Sequence, residues 1–433
     1  MKKKILVADS SPSIFQSLLS HKKASSYDWE KAIDGLECLK KLESFNPDLV
    51  ILDLLLPKKH GISILNTIKA SFPKVTVMIA SDQMLLQNYK TAIDHGAVYF
   101  LFKPLDLDHV FVLLDQYEKN KLSPNSFPKL PRPNLNKRDK TSPLALTFWG
   151  TRGSHSISGP EFERFGGNTS CLEILHEKDR IIIDAGTGIH ELGKKLRQEK
   201  VKKIDILISH THLDHIIGFP FFEPIYDKEV KITVWGPVGF ELSLQKIFES
   251  MLSPSFFPIG LNEISAQLEF KELNTEKIAI GSFTVHSCYT YHPGATLGFR
   301  IDTPNHKIGY VTDNELFLGH VEDPSSLNPD HPHFLPHKDL YQFLKPCDTI
   351  VHEAQYFDFE YEAKVGWGHS CISNATSFLR HTNAKRWIVT HHDPNHTDKD
   401  LEFKTWEHLE ALQKYDFKCR FDLAHDEMYL PLN

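Results

Sequence analysis

The chain has 433 residues, 41% apolar and 24% charged, with a formal net charge of −7 and 25 histidines. That length calls for two or three folding units, and the acidic balance argues against a DNA-binding protein. No stretch nears the ~20 apolar residues of a membrane span, MKKK followed by ILVA is too short for a signal peptide, and six cysteines without disulfide or metal spacing fit a reducing, cytoplasmic location.

Residues 1–118 alternate apolar, β-branched runs with helical patterns. In chain order they read as a strand at KILVAD, a helix near 12–20, a strand at PDLVILD, a helix near 61–71, a strand at VTVMIAS, a helix near 84–95, a strand at VYFLFK and a helix near 107–118. Strands alternating with helices predict a parallel sheet covered on both faces. Functional groups of such a sheet gather at the carboxyl ends of its strands. Asp9, Asp53, Ser81 and Lys103 all stand there. One aspartate after a strand is usually a helix cap, but two carboxylates, a hydroxyl and an amine converging on one crevice make a chemical site.

The stretches ILVADSSP, LVILDLLLPKKHG, MIAS and GAVYFLFKP make 1–118 resemble the receiver domain of two-component response regulators. The resemblance implies a flavodoxin-like, doubly wound parallel sheet of five strands. It implies Asp53 as the phospho-acceptor for a cognate sensor histidine kinase, with Ser81 reaching the phosphoryl group and Lys103 pairing with it. Phe100 occupies the position of an aromatic rotamer switch. Mg²⁺ would bind at Asp9 and Ser10. The family usually has two adjacent acids there, and a hydroxyl is a weaker, neutral ligand for a hard cation. Either slow phosphorylation or a fixed interaction module follows, and a homodimer stays open.

Residues 119–143, rich in Pro, Asn and Lys, read as a basic, semi-extended linker. A new unit, 144–433, starts at LALTFWG. KIDILIS, apolar on both sides, predicts a buried strand. The turn after it carries His210, His212, Asp214 and His215. Residues two apart on an extended segment point the same way, so His210 and His212 can share one metal while Asp214 and His215 serve a second. Imidazole with carboxylate suits Zn²⁺ most directly, and also Fe or Mn²⁺. Three more strand ends offer His292, Asp313 and His391, with His392 as an alternative to His391. Together they complete two three-residue sets and one shared carboxylate.

The motifs FWGTRGS, GGNTSC, IIIDAGTG, HTHLDH, HPGATLGFR, YVTDNE, HEAQY, GWGHS and HHDP make 144–433 resemble the metallo-β-lactamase superfamily, an αββα sandwich. The resemblance is to its phosphodiesterase branch, which includes tRNA 3′-processing endonucleases and cyclic-nucleotide phosphodiesterases. It implies one metal on His210, His212 and His292, a second on Asp214, His215 and His391, and Asp313 between them. Asp184 would steady the histidine loop. His369 would protonate the leaving oxygen, with Glu353 orienting its ring, while Asp214 serves both metal and catalysis. The implied reaction is hydrolysis of a phosphodiester by a hydroxide bridging two divalent ions. Arg152 and Asn168 are candidate substrate contacts, although Arg152 fits a buried structural ion pair equally well. The segment 236–272 has more acids than bases, which argues for a small, nucleotide-type ester, such as a cyclic nucleotide, rather than tRNA. A metal-dependent carboxylic-ester or lactone hydrolase and a scaffold with a vestigial metal site are the alternatives.

Overall fold

The computed structural model describes residues 2–81, 91–103, 105, 107–119, 142–239 and 241–432. The chain forms two compact units, Met1–Pro131 and Arg132–Asn433. Most of the expected linker at 119–143 lies outside the described residues, as does the start of the helix expected near 84–95.

In the first unit, β1 (Lys3–Ala8), β2 (Tyr27–Ala32), β3 (Leu49–Asp53), β4 (Thr76–Ser81) and β5 (Tyr99–Phe102) form one sheet in the order β2-β1-β3-β4-β5. Every pairing is parallel. All five residues of central β3 are buried, as its unbroken apolar run requires. Strand β2 and the helix Gly35–Phe45 have no counterpart among the elements read from the sequence. Among the described residues YDWEKA pairs only with β1, and an edge strand tolerates charges that a central strand excludes. The helix is capped by Asp34, whose carboxylate accepts the N–H groups of Leu36 and Glu37.

The second unit is the expected αββα sandwich. Its strands are β6 (Leu144–Gly150), β7 (Cys171–His176), β8 (Asp179–Ile183), β9 (Lys203–Leu207), β10 (Lys231–Pro237), β11 (Gln267–Leu273), β12 (Lys277–Ile280), β13 (Phe283–Tyr289), β14 (Leu297–Asp302), β15 (Lys307–Val311), β16 (Thr349–Glu353), β17 (Arg386–Thr390), β18 (Arg420–Leu423) and β19 (Met428–Leu432). They form two mixed sheets, β11-β10-β9-β8-β7-β6-β19 and β12-β13-β14-β15-β16-β17-β18. Side chains alternate across each strand. Ile181 and Ile183 of β8 therefore join Phe299, Ile308, Val351 and Ile388 of the facing sheet in the central core. Ile182, between them, packs outward with Leu192 and Leu196 of the helix Ile189–Gln198. Parallel pairs β8–β9 and β15–β16–β17 leave their carboxyl ends side by side. Most of the chemistry collects on the loops that follow them. Among the described residues, no helix is long and apolar enough to cross a membrane.

Candidate functional site

In the receiver unit the strand ends bring three charged groups together. Lys103 Nζ lies 2.7 Å from Asp9 Oδ2 and 2.7 Å from Asp53 Oδ2. Burial would lower its pKa, but hydrogen bonds and charge from Asp53 and Asp9 outweigh that and raise it. Asp53 Oδ1 accepts the Leu55 N–H at 3.0 Å, and Asp9 Oδ1 accepts the Ser11 N–H at 2.8 Å. Ser81 is buried on β4, where its carbonyl accepts the Lys103 N–H. Phe100 is buried, and Ser10 is exposed beside Asp9.

In the second unit the seven side chains singled out as ligands converge on one point. His212 Nδ1 lies 2.9 Å from His210 Nε2 and 3.1 Å from His292 Nε2. Asp214 Oδ2 lies 3.3 Å from Nε2 of His215 and 3.3 Å from Nε2 of His391, and those two nitrogens are 3.2 Å apart. Asp313 stands between the clusters. Its Oδ1 is 3.3 Å from Nε2 of both His215 and His391, while its Oδ2 is 3.6 Å from His210 Nε2 and 3.7 Å from His292 Nε2.

This arrangement fits divalent cations. Three ring nitrogens facing one another in the first cluster cannot all be satisfied by shared protons. Asp313 Oδ1 is buried without a hydrogen bond, a costly state that a cation relieves. Groups of three or more donor atoms, all within 4.8 Å of one another, draw on all seven residues and on His369. Burial also holds His210 well below the ordinary imidazole pKa, in the neutral form a ligand needs.

The surrounding loops explain the motifs. Asp184 accepts hydrogen bonds from the Ser209 N–H (2.7 Å), the Ser209 hydroxyl (3.0 Å) and the Tyr310 hydroxyl (2.9 Å), and its Oδ2 is 2.9 Å from His215 Nδ1. Both Asp184 and His391 have left-handed backbones, with φ of 63° and 57°. Non-glycine residues hold that conformation at a cost and are concentrated at functional sites. FWGTRGS makes room for the second cluster: a Cβ on Gly153 would fall 2.3 Å from His391 Cε1. The next residue, Ser154, donates its N–H to Asp214 Oδ2 at 2.7 Å. His391 points into the cluster, whereas His392 Nε2 bonds the Ala424 carbonyl at 2.8 Å.

His369 sits beside the clusters with Nδ1 3.3 Å from Glu353 Oε1 and 3.9 Å from Asp313 Oδ2. Burial opposes its charge, but the hydrogen bond and charge of Glu353, then Asp313 and Asp214, raise its pKa. Fully buried Glu353 also accepts the N–H groups of Ser370 (3.0 Å) and Gln355 (2.7 Å). With Nδ1 so engaged, Nε2 is the nitrogen left to meet a ligand.

Of the two candidate substrate contacts, Arg152 takes the buried structural role that its sequence position left open, and Asn168 is half-buried in the same loop system. Arg152 is fully buried and donates to the carbonyls of Gly166, Asp393 and His396 at 2.8, 3.1 and 2.6 Å. It ties the first loop of the unit to the loop after β17. The Asn168 side chain accepts the Thr187 hydroxyl at 3.1 Å, and its carbonyl accepts the N–H groups of Thr151 and Arg152. Both residues build loops. Sequence reading also missed Tyr310 and Glu315. Tyr310 is three residues before Asp313 on a strand, but its partner Asp184 is 126 positions away, and no local spacing signals such a pair.

Residues 5–115 match the family described as response regulator receiver domain. Residues 179–392 match the beta-lactamase superfamily domain. A ribonuclease Z from Leuconostoc mesenteroides subsp. mesenteroides is 28% identical over 284 residues, 57% of this chain and 86% of that protein. One from Clostridium tetani is 24% identical over 288 residues, 58% of this chain and 89% of that protein. The solved metallo-beta-lactamase fold protein YhfI from Bacillus subtilis is 16% identical, covering 66% of this chain and 98% of its own at a TM-score of 0.48. The chain therefore joins a response regulator receiver domain, matched at 5–115, to a metallo-β-lactamase-fold hydrolase domain, matched at 179–392, that is related to ribonuclease Z.

Proposed function

We propose that the chain is a response regulator whose output is hydrolysis of a small, nucleotide-type phosphodiester. The observation that carries this reading is Asp313, whose two oxygens face different histidine clusters while Oδ1 has no hydrogen bond. His210, His212 and His292 would hold one divalent ion, and Asp214, His215 and His391 a second. Two such ions supply positive charge to the phosphoryl oxygens and lower the pKa of the attacking water. Zn²⁺ suits the donor set best.

The chain's own residues do the rest. Glu353 holds His369 by Nδ1 and favours its protonated form. Nε2 then gives its proton to the departing alkoxide. Asp184 fixes the His215 tautomer by accepting from Nδ1, which leaves Nε2 free as a ligand. The acidic balance of 236–272 supports a small substrate over RNA. In the receiver, Asp53 would accept a phosphoryl group from a histidine kinase with Mg²⁺ at Asp9, and Lys103 would move from pairing carboxylates to pairing phosphate.

The test is metal analysis of the purified protein alongside hydrolysis of bis-p-nitrophenyl phosphate, 2′,3′-cyclic nucleotides and a lactone. About two transition-metal ions per chain with phosphodiester turnover is the expected result. A metal-free active preparation, or turnover of the lactone alone, overturns it.

A further inference from the structure

The GWGHS motif presents a tryptophan beside the metal site that the proposed chemistry does not use. Of the six tryptophans, Trp367 alone is exposed, at 59%. An indole that size is ordinarily buried in a core or an interface. Its flanking glycines, Gly366 and Gly368, both have φ of 86°, so the chain turns sharply on either side and leaves the ring outside.

The loop that carries it is fixed from below. The carboxylate of Glu315, itself buried, accepts the Gly366 N–H at 2.9 Å, the Gly368 N–H at 2.9 Å and the Tyr361 hydroxyl at 2.8 Å. Its own N–H donates to the Tyr291 carbonyl at 2.7 Å. Glu315 thus joins the Trp367 loop to the loop of the ligand His292. The Gly368 carbonyl lies 2.8 Å from His292 Nδ1, and a Cβ on Gly368 would collide with that atom at 2.2 Å. Trp367 is one Cα step, about 3.8 Å, from Gly368 at that contact, and His369 follows directly on its other side. Lys364 Nζ stands over the Trp367 ring, 4.1 Å from its centroid, which puts a cation on one face of the exposed indole.

We propose that Trp367 is a stacking platform for the base of a nucleotide ester whose phosphate lies at the metal site, with Glu315 as the positioning residue that holds the platform. The inference rests on the phosphodiesterase reading above and names its substrate class more closely. A flat base matches the exposed indole, stacking tolerates any base, and the adjacent ammonium suits an anionic ester.

Two measurements test it on the full-length protein. The first compares p-nitrophenyl thymidine 5′-phosphate with methyl p-nitrophenyl phosphate, which share a leaving group and differ in carrying a nucleoside or a methyl group. In Trp367→Ala the ratio of kcat/KM for the two esters should fall about tenfold through KM, and Trp367→Phe should recover part of it. The second titrates adenosine 5′-monophosphate against tryptophan fluorescence. Quenching should occur in the wild type and be lost in Trp367→Ala. An unchanged ester ratio, absent quenching, or equal quenching in both proteins overturns the proposal. Failure to hydrolyse either ester would sink the phosphodiesterase reading instead, and the titration would still decide the subsite.

Discussion

Both units place carboxylates at the carboxyl ends of parallel strands, yet they balance the charge differently. In the receiver, Asp9 and Asp53 share Lys103 at 2.7 Å each, a cation carried by the protein itself. In the hydrolase unit, the ion pairs of Asp214 and Asp313 are to histidines alone among the described residues. Histidine is neutral when it acts as a ligand, so ions held on these residues would bring the balancing charge from outside the chain. On the proposed reading one site is a switch whose cation, Lys103, exchanges a carboxylate partner for a phosphoryl group. The other is, on the same reading, a cradle whose charge the ions would complete.

The comparison breaks most visibly at Asp313. Asp313→Ala should lower the metal content by at least one ion per chain. Phosphodiester hydrolysis should fall at least about 10³-fold, since several kcal/mol of charge stabilisation depend on the ions. Inductively coupled plasma analysis and a p-nitrophenolate assay read the two effects. Retention of both ions with near-normal turnover would mean Asp313 does not bridge.

A second variant separates holding metal from moving a proton. His369→Ala should keep both ions while kcat on an alkyl ester drops about 10²–10³-fold. The loss should shrink for p-nitrophenolate esters, whose leaving group needs no proton. Equal losses on both would assign His369 to binding. Asp184→Asn comes next. It weakens the acceptor for His215 Nδ1, and metal affinity should fall about 10–100-fold, measured by competition with a chelator. An unchanged affinity would reduce Asp184 to a loop brace.

These expectations trace which parts of the molecule were legible in the sequence. The residues that converge are the ones whose chemistry repeats at short spacing after apolar runs: His210, His212, Asp214 and His215 within six positions, and Asp9, Asp53 and Lys103 each ending a strand. A strand end fixes both where a side chain is and which way it faces, so local pattern suffices. Arg152 was ambiguous because a charged residue after a strand carries no mark of its burial, and its carbonyl partners at 393 and 396 lie more than 200 positions away. Glu315 was hidden for the same reason, with its N–H partners some 50 positions on. Strand β2 was missed because charged residues on an edge strand erase the apolar run that marked β3.

The smallest expected effect tests whether the receiver controls the hydrolase. Phosphorylating Asp53 removes the need for Lys103 to neutralise two carboxylates and gives it a dianion instead. Ser81, at the carboxyl end of β4, and Phe100, within β5, are both buried and are the groups expected to respond. A modification shifts an equilibrium only by its different interaction with the two states, and couplings of this kind are worth about 1–3 kcal/mol. Ser10 offers Mg²⁺ a neutral oxygen where a carboxylate would bind more strongly, which favours the low end, about a fivefold change in turnover or in the monomer–dimer balance. Beryllofluoride with Mg²⁺ should produce that change in the wild type and not in Asp53→Ala. Ser10→Asp adds a second acid beside Asp9 and should enlarge the response, or bring it to saturation at lower Mg²⁺. If Asp53 takes the phosphoryl group and neither turnover nor assembly moves, in the wild type or in Ser10→Asp, the two sites work independently and the receiver serves as a docking module.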